Sequence, residues 1–229
     1  MKRRALARRL IHDVSWVLII SGVLLVLDAG VTLAWQEPLT ALVASVKRGE
    51  IDKRLLERPP ALSPLDRQAL ADLRTVQQRI AFLARREQHE VSTGEAVGRL
   101  RIPPIGGDYI VVQGTDQGSL EKGPGHYPTS ALPGLGETVA IAGHRTTYLA
   151  PFRHLDGLRP GDRIVLSMPY GKFIYTVQFH RVVSPYAWWV TDDVGYDRLI
   201  LSACTPLYSA AERIVVFARL AAVVPLGSA

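Results

Sequence analysis

The chain holds one cysteine, Cys204, and its thiol is the strongest nucleophile among the side chains present. Cys204 closes the run Leu199-Ile200-Leu201-Ser202-Ala203 and is followed by Thr205-Pro206, which reads as a strand and its exit. Nine residues on, Arg213 opens Ile214-Val215-Val216-Phe217, a second β-rich run. A strand, a short turn and a return strand would bring the guanidinium back beside the thiol. There a cation favours the thiolate and can hold a carbonyl oxygen. A nucleophile plus an acid that protonates a leaving amine is the minimum set for acyl transfer, and a histidine can be that acid. His144 follows the β run Ala140-Ile141-Ala142 and Gly143, which puts its ring at a strand end facing a loop. The residues alone do not choose it over His126, His154 or His180. Each residue also has an ordinary reading: a buried small hydrophobe for Cys204, a surface position for Arg213, a hydrogen-bonded surface ring for each histidine. Unaided, these positions give a candidate cysteine enzyme and no more.

Composition narrows the alternatives. One cysteine excludes an intramolecular disulfide framework and any paired-cysteine zinc or redox motif. The histidines are scattered and fit no metal template, and no carboxylate cluster argues for calcium, so neither metal nor cofactor is expected. With 229 residues, 48% hydrophobic and 21% charged, the chain can bury a sizeable core in one or two domains. The net charge of +6 is half a tail effect: residues 1–36 carry five Lys/Arg against Asp13 and Asp28. The remainder carries 22 basic against 19 acidic residues with no dense stripe, which argues against nucleic acid as a partner.

These groups must be positioned by the elements around them. Residues 14–35 form a hydrophobic run after a basic tail at 1–13. At about 1.5 Å per helical residue, 22 residues reach roughly 33 Å, enough to cross a bilayer core. The basic flank predicts a single span with a cytoplasmic N-terminus and the bulk of the chain outside. Trp16 and Trp35 suit the two interfaces, and Asp28 is the one awkward residue within the span. A cleaved signal peptide is the alternative, with Thr32 and Ala34 as small cleavage-site residues. Residues 36–96 carry apolar side chains at helical spacing over 38–53 and 65–90, interrupted by Pro59-Pro60 and Pro64. Ser63 with Asp66 offers start chemistry for the second helix, and the expectation is a solvated helical stalk or linker. Beyond Leu100, β-rich runs recur at 109–113, 138–142, 163–168, 172–183, 198–204 and 213–223, punctuated by Gly- and Pro-rich turns. The fold class is all-β, a compact barrel or sandwich over 97–224, with a short C-terminal tail at 225–229.

Taken together, Gly143-His144-Arg145-Thr146-Thr147-Tyr148, Leu201-Ser202-Ala203-Cys204 and Arg213-Ile214-Val215-Val216 resemble a sortase. The chain is most similar to class E sortases of high-GC Gram-positive bacteria. It shares Gly123-Pro124-Gly125-His126-Tyr127-Pro128, Pro133-Gly134, Pro151-Phe152, Leu158-Arg159-Pro160-Gly161-Asp162 and the Trp35-Gln36-Glu37-Pro38 join. The resemblance implies a closed β-barrel of about eight strands, preceded by a transmembrane helix and a helical stalk. It also implies a membrane-anchored cysteine transpeptidase at the cell surface. Cys204 would cleave a Leu-Ala-x-Thr-Gly-like or Leu-Pro-x-Thr-Gly sorting signal between Thr and Gly through a thioester. His144 would protonate the leaving amine, and Arg213 would stabilise the carbonyl. The acceptor would be a peptidoglycan-precursor amine, or a lysine side chain in a pilin-polymerising enzyme. The donors would be secreted proteins with C-terminal sorting signals.

Further residues are implied around the substrate: His126, Tyr127, Thr146, Tyr148, Trp188, Trp189, Ser202, Ala203 and Thr205. The family pattern before the cysteine is TLxTC, whereas this chain reads Ile200-Leu201-Ser202-Ala203-Cys204 and lacks both threonines. Ala203 has no hydroxyl, so that polar contact would pass to Ser202 or Thr205. A non-catalytic, membrane-tethered peptide-binding barrel is the competing reading, with Ala203 as its support. An L,D-transpeptidase does not fit, because no His-Gly-Cys signature is present.

Overall fold

The structure is a computed structural model that describes residues 2–35, 46 and 62–225, with side chains in the first helix described for 12–31. The expected helix at 38–53, the Gln36-Glu37-Pro38 join and residues 226–229 lie outside the described residues. Two units are described separately, Met1–Leu39 and Thr40–Ala229.

The first unit contains helix α1, Lys2–Trp35. It begins inside the basic tail because Lys, Arg, Ala and Leu are good helix formers and neither Gly nor Pro interrupts residues 2–21. Its segment His12–Val31 is long and apolar enough to cross a membrane, a property shared by anchors and N-terminal signals. Within it Trp16 Nε1 donates to His12 Nε2 one turn back, at 3.2 Å.

In the second unit, α2 (Pro64–Asp72) starts at a capping box in which Ser63 and Asp66 satisfy each other's backbone amides. The expected continuous helix over 65–90 is broken at Leu73-Arg74. A second capping box, Thr75 with Gln78, starts α3 (Val76–Glu90). The stalk expectation is corrected here: α3 is docked, not solvated. Its face at Ile80, Ala84 and Glu87 is buried, and Ile80 joins the main barrel core. Ile80 reaches Gly134 so closely that a Cβ there would collide with it. Gln88 Oε1 accepts from the Leu132 amide at 3.2 Å.

Eight strands close into a mixed barrel in the order β1-β2-β3-β4-β7-β8-β6-β5. They are β1 (Ala96–Ile102), β2 (Gly107–Gln113), β3 (Gly125–His126), β4 (Thr138–Ala142), β5 (Arg163–Met168), β6 (Gly171–Val183), β7 (Arg198–Thr205) and β8 (Glu212–Pro225). A short helix, α4 (Gln117–Leu120), follows β2. The β2–β3 and β4–β7 pairs are parallel, and the other pairings are antiparallel. The closed barrel of eight strands matches the sequence expectation. Two of its strands, β1 and β3, are absent from the runs read in the sequence.

Alternation along the strands divides two apolar clusters. Leu199, Leu201, Ala203, Ile214 and Val216 join the main cluster inside the barrel. Ala140, Ile200, Val215 and Phe217 form a second cluster, against which Tyr127, Val183 and Val190 pack. The second cluster lies on the other face of the same strands, and segment 184–197 runs beside it. The Arg198 guanidinium pins that segment by donating to the Val190 and Asp192 carbonyls at 3.0 and 2.7 Å.

Candidate active site

The parallel pairing of β4 with β7 runs from Thr138 opposite Arg198 to Ala142 opposite Ser202. It continues through the Gly143 amide, which donates to the Ser202 carbonyl at 3.0 Å. His144 and Cys204 each lie two residues beyond that last pair, so the β4 exit and the β7 end bring them to one edge of the barrel. On the other side of β7 the antiparallel ladder pairs Cys204 with Arg213. The cysteine is thus flanked across the sheet by the histidine's strand on one side and by the arginine on the other.

Glycine before the histidine has a steric reason. A Cβ on Gly143 would lie 2.6 Å from the Phe152 ring, which is fully buried in the main core. His144 is half-buried, and its Nε2 is shielded from solvent with no hydrogen-bond partner among the described residues. Its ring lies 5.2 Å from that of Tyr148, tilted by 38°. The Tyr148 hydroxyl donates to Glu121 Oε1 at 3.1 Å. Burial pushes the His144 pKa below the usual imidazole value, and the Glu121 charge partly offsets this.

Arg213 Nη1 donates to the Ala210 and Glu212 carbonyls at 3.0 and 2.9 Å, which fixes the guanidinium against its own turn. It makes no ion pair among the described residues, so its charge is not cancelled locally. Ser202, on the same face as Cys204, is buried and shares a hydrogen bond of 3.0 Å with the Tyr127 hydroxyl. The pair forms a polar floor one step from the thiol.

The other candidate residues take varied positions around the barrel. His126 is 1% exposed, with Nδ1 2.8 Å from Gln113 Oε1 and Nε2 2.9 Å from the Ala131 carbonyl. It braces β2, β3 and the following loop. Burial lowers its pKa to about 4, so it is neutral at neutral pH. Ala203 points into the barrel interior at 3% exposure, on the face opposite Cys204. Neighbouring strand residues alternate faces, so Ala203 does not share the Cys204 face. Tyr148 is held by Glu121 against the imidazole and sets its surroundings. Thr146 is half-buried in the same loop. Trp189 stacks flat on Phe217, with centroids 6.3 Å apart, while Trp188 is 75% exposed. One tryptophan packs on the barrel and the other stands out into solvent.

Sequence reasoning missed Arg145, the residue after the histidine. It is 5% exposed, and its Nη1 donates to Thr205 Oγ1 at 3.1 Å. Its Nε and Nη2 donate to the Arg153 carbonyl, and Nη2 pairs with Asp156 Oδ1 at 2.9 Å. Thr205, which follows the cysteine, thereby receives its buried partner from the histidine's loop. A charged residue in a loop carries no sequence mark of such burial. Glu121 was missed too, since it lies 23 positions before His144 and meets it only through the fold. Among the described residues no three His, Cys, Asp or Glu side chains gather to hold a metal ion.

The arrangement can perform acyl transfer: a thiol, an imidazole at the adjacent strand exit and an uncompensated guanidinium on the opposite strand. Comparison with known proteins agrees with this. Residues 100–221 match the family model for the sortase domain. The chain is 33% identical over 137 residues to Sortase D of Bacillus subtilis, spanning 56% of this chain and 65% of that protein. It is 30% identical over 143 residues to Sortase SrtE1 of Streptomyces coelicolor, spanning 56% of this chain and 41% of that protein. It thus spans less than two thirds of the length of either relative. The crystal structure of sortase E1 from Streptomyces coelicolor with a tripeptide in the active site superposes with a TM-score of 0.56 at 26% identity. That match covers 59% of this chain and 93% of the other. Sortase E from Streptomyces avermitilis gives a TM-score of 0.54 at 32% identity over the same shares.

Proposed function

Since this chain belongs to the sortase family, we propose that it is a membrane-anchored cysteine transpeptidase acting on proteins with a C-terminal sorting signal. The observation that carries the proposal is the single row across the barrel edge, His144 beyond β4, Cys204 at the end of β7 and Arg213 opposite it on β8. In this reading the Cys204 thiolate attacks the carbonyl carbon of the Thr–Gly bond. The oxyanion that forms is held by Arg213, whose Nε and Nη2 make no hydrogen bond among the described residues. Collapse breaks the C–N bond, and the leaving glycine amine takes its proton from the His144 imidazolium. A thioester on Cys204 remains. An incoming amine attacks it, His144 accepts the amine's proton, and the C–S bond breaks to free the thiolate. Burial lowers the His144 pKa and so disfavours the imidazolium half of the thiolate–imidazolium pair, while the Glu121 charge favours it.

Helix α1 supplies the anchor, and the five basic residues before its apolar segment argue for a cytoplasmic N-terminus and an extracellular barrel. The signal is Leu-Ala-x-Thr-Gly-like, and the acceptor is a cell-wall amine. The test uses the full chain in detergent with quenched Leu-Ala-x-Thr-Gly and Leu-Pro-x-Thr-Gly peptides and an added amine. The expected result is cleavage and transfer that are abolished by Cys204→Ala and lowered about 100-fold or more by His144→Ala or Arg213→Ala. A folded wild-type chain that cleaves neither peptide, and whose thiol resists a methanethiosulfonate reagent, would instead be a tethered peptide-binding barrel. Transfer to a protein lysine and not to a cell-wall amine would point to a pilin-polymerising enzyme.

A further inference from the structure

Among the described residues, non-glycine backbone strain falls in two loops, and both adjoin the strand ends that carry His144 and Cys204. Among the described residues the non-glycine positions with positive φ are Tyr148, Leu149 and Ala150 in the β4–β5 loop and Tyr208 in the β7–β8 turn. Strain of this kind persists where the surrounding structure holds a loop to a task. Arg153 sits between the two. Its backbone carbonyl is fixed by Arg145, the residue that also holds Thr205. Its side chain reaches the β7–β8 turn, with Nη2 3.5 Å from the Tyr208 hydroxyl and the guanidinium carbon 6.0 Å from that ring's centroid.

The Arg153 guanidinium is not satisfied there. Nη1 is shielded from solvent with no hydrogen-bond partner, and the residue makes no ion pair among the described residues. Its neighbour Asp156 is taken by Arg145. Its Nε–Nη2 edge makes only the long Tyr208 contact among the described residues, and such an edge can bind a carboxylate through two parallel N–H donors.

We propose that Arg153, backed by Tyr208, is the acceptor-side subsite, binding a carboxylate carried by the incoming amine a few bonds from its nitrogen. The inference rests on the transpeptidase reading above. The outer-face cluster and the tryptophans of segment 184–197 offer an apolar bed for the acyl donor. Arg153 and Tyr208 belong instead to the loops beyond the ends of β4 and β7. An acceptor entering from that end would be oriented by its carboxylate as its amine meets the thioester. The amine nitrogen then forms the new C–N bond, the C–S bond breaks, and the amine's proton passes to His144.

The test gives the full chain one cleavable peptide and a ladder of acceptors: glycine, diglycine and triglycine, each as the free acid and as the C-terminal amide. The readout is transfer relative to hydrolysis, compared as acid over amide within each enzyme, so that differences in amine basicity cancel between variants. The wild type is expected to favour at least one acid about tenfold more than Arg153→Gln does, with Arg153→Lys between them. The Arg145 anchor uses the Arg153 backbone, so these variants leave it intact. The proposal is overturned if acid-over-amide preference is the same in wild type and Arg153→Gln, or if the substitution changes only the KM of the donor peptide. A wild type that transfers acyl groups but shows no acid preference also overturns it and leaves the transpeptidase reading standing. A wild type that cleaves no peptide overturns both.

Discussion

Arg145 Nη1 donates to Thr205 Oγ1 at 3.1 Å, so the residue after the candidate acid is tied to the residue after the candidate nucleophile. Past the β4–β7 ladder, the Gly143 amide also donates to the Ser202 carbonyl. The Arg145 bridge therefore adds a side-chain restraint where small displacements matter most. Misplacement of reacting groups by about 1 Å can cost about 100-fold in rate.

Replacing Arg145 by Met should lower kcat by about 10- to 100-fold with a smaller change in KM, because the bridge positions groups and binds no substrate. Arg145→Lys should restore part of the rate. Asp156→Asn should have a smaller effect, since the Asp156 side chain is 60% exposed and its ion pair is screened. Steady-state kinetics beside thermal melts will separate this from simple destabilisation. A loss in Tm with unchanged kcat would remove Arg145 from the positioning role.

Glu121 gives a prediction in pH. Its carboxylate favours the charged imidazole of His144 against the burial that opposes it. For a mechanism that needs the imidazolium, the acid limb of kcat/KM reports the histidine pKa. The plateau is the fraction in which the imidazole holds the proton and the thiol does not. Glu121→Gln lowers the His144 pKa, so the acid limb should move to lower pH and the plateau should fall by the same factor. Gln can still accept from Tyr148, which keeps the ring in place. A pH–rate profile that does not shift would show that Glu121 acts on structure alone.

His126 predicts acid lability. Its folded pKa of about 4 lies below the unfolded value near 6.5, so the unfolded chain binds the extra proton between those pH values. The stability from keeping this ring neutral and buried is fully present above pH ~6.5 and is lost as pH falls toward ~4. The loss is on the order of 3 kcal/mol. His126→Gln should flatten that part of the stability–pH curve, as read by urea melts across this range. An unchanged slope would mean that other groups set the acid sensitivity.

What the sequence reveals of this site follows the range of the interactions involved. The Cys204–Arg213 pairing is local: two β-rich runs joined by a short turn have few ways to meet, and the return strand lands opposite. The His144 position depends on a parallel pairing between strands that are far apart in sequence, and periodicity does not say which strands pair. The residues of β1 carry Gly98, Arg99 and Arg101, which hide its alternation, and β3 is two residues long. The docking of α3 is missed for a different reason. Only Ile80, Ala84 and Glu87 are buried, and a carboxylate in that stripe makes the face read as solvated. The resemblance carries the order of the motifs, but not which face Ala203 or His126 presents, since that is set by strand register and burial.

The most direct measurement of the central claim is intact-mass spectrometry of the full chain, mixed with excess Leu-Ala-x-Thr-Gly peptide and quenched in acid. The account predicts a mass gain equal to the peptide fragment ending at Thr, located on Cys204 by digestion. Adding an acceptor amine should discharge the adduct, and Cys204→Ala should never form it. Peptide cleavage that persists in Cys204→Ala, or a folded wild-type chain that cleaves the peptide and never carries the adduct, would contradict the account.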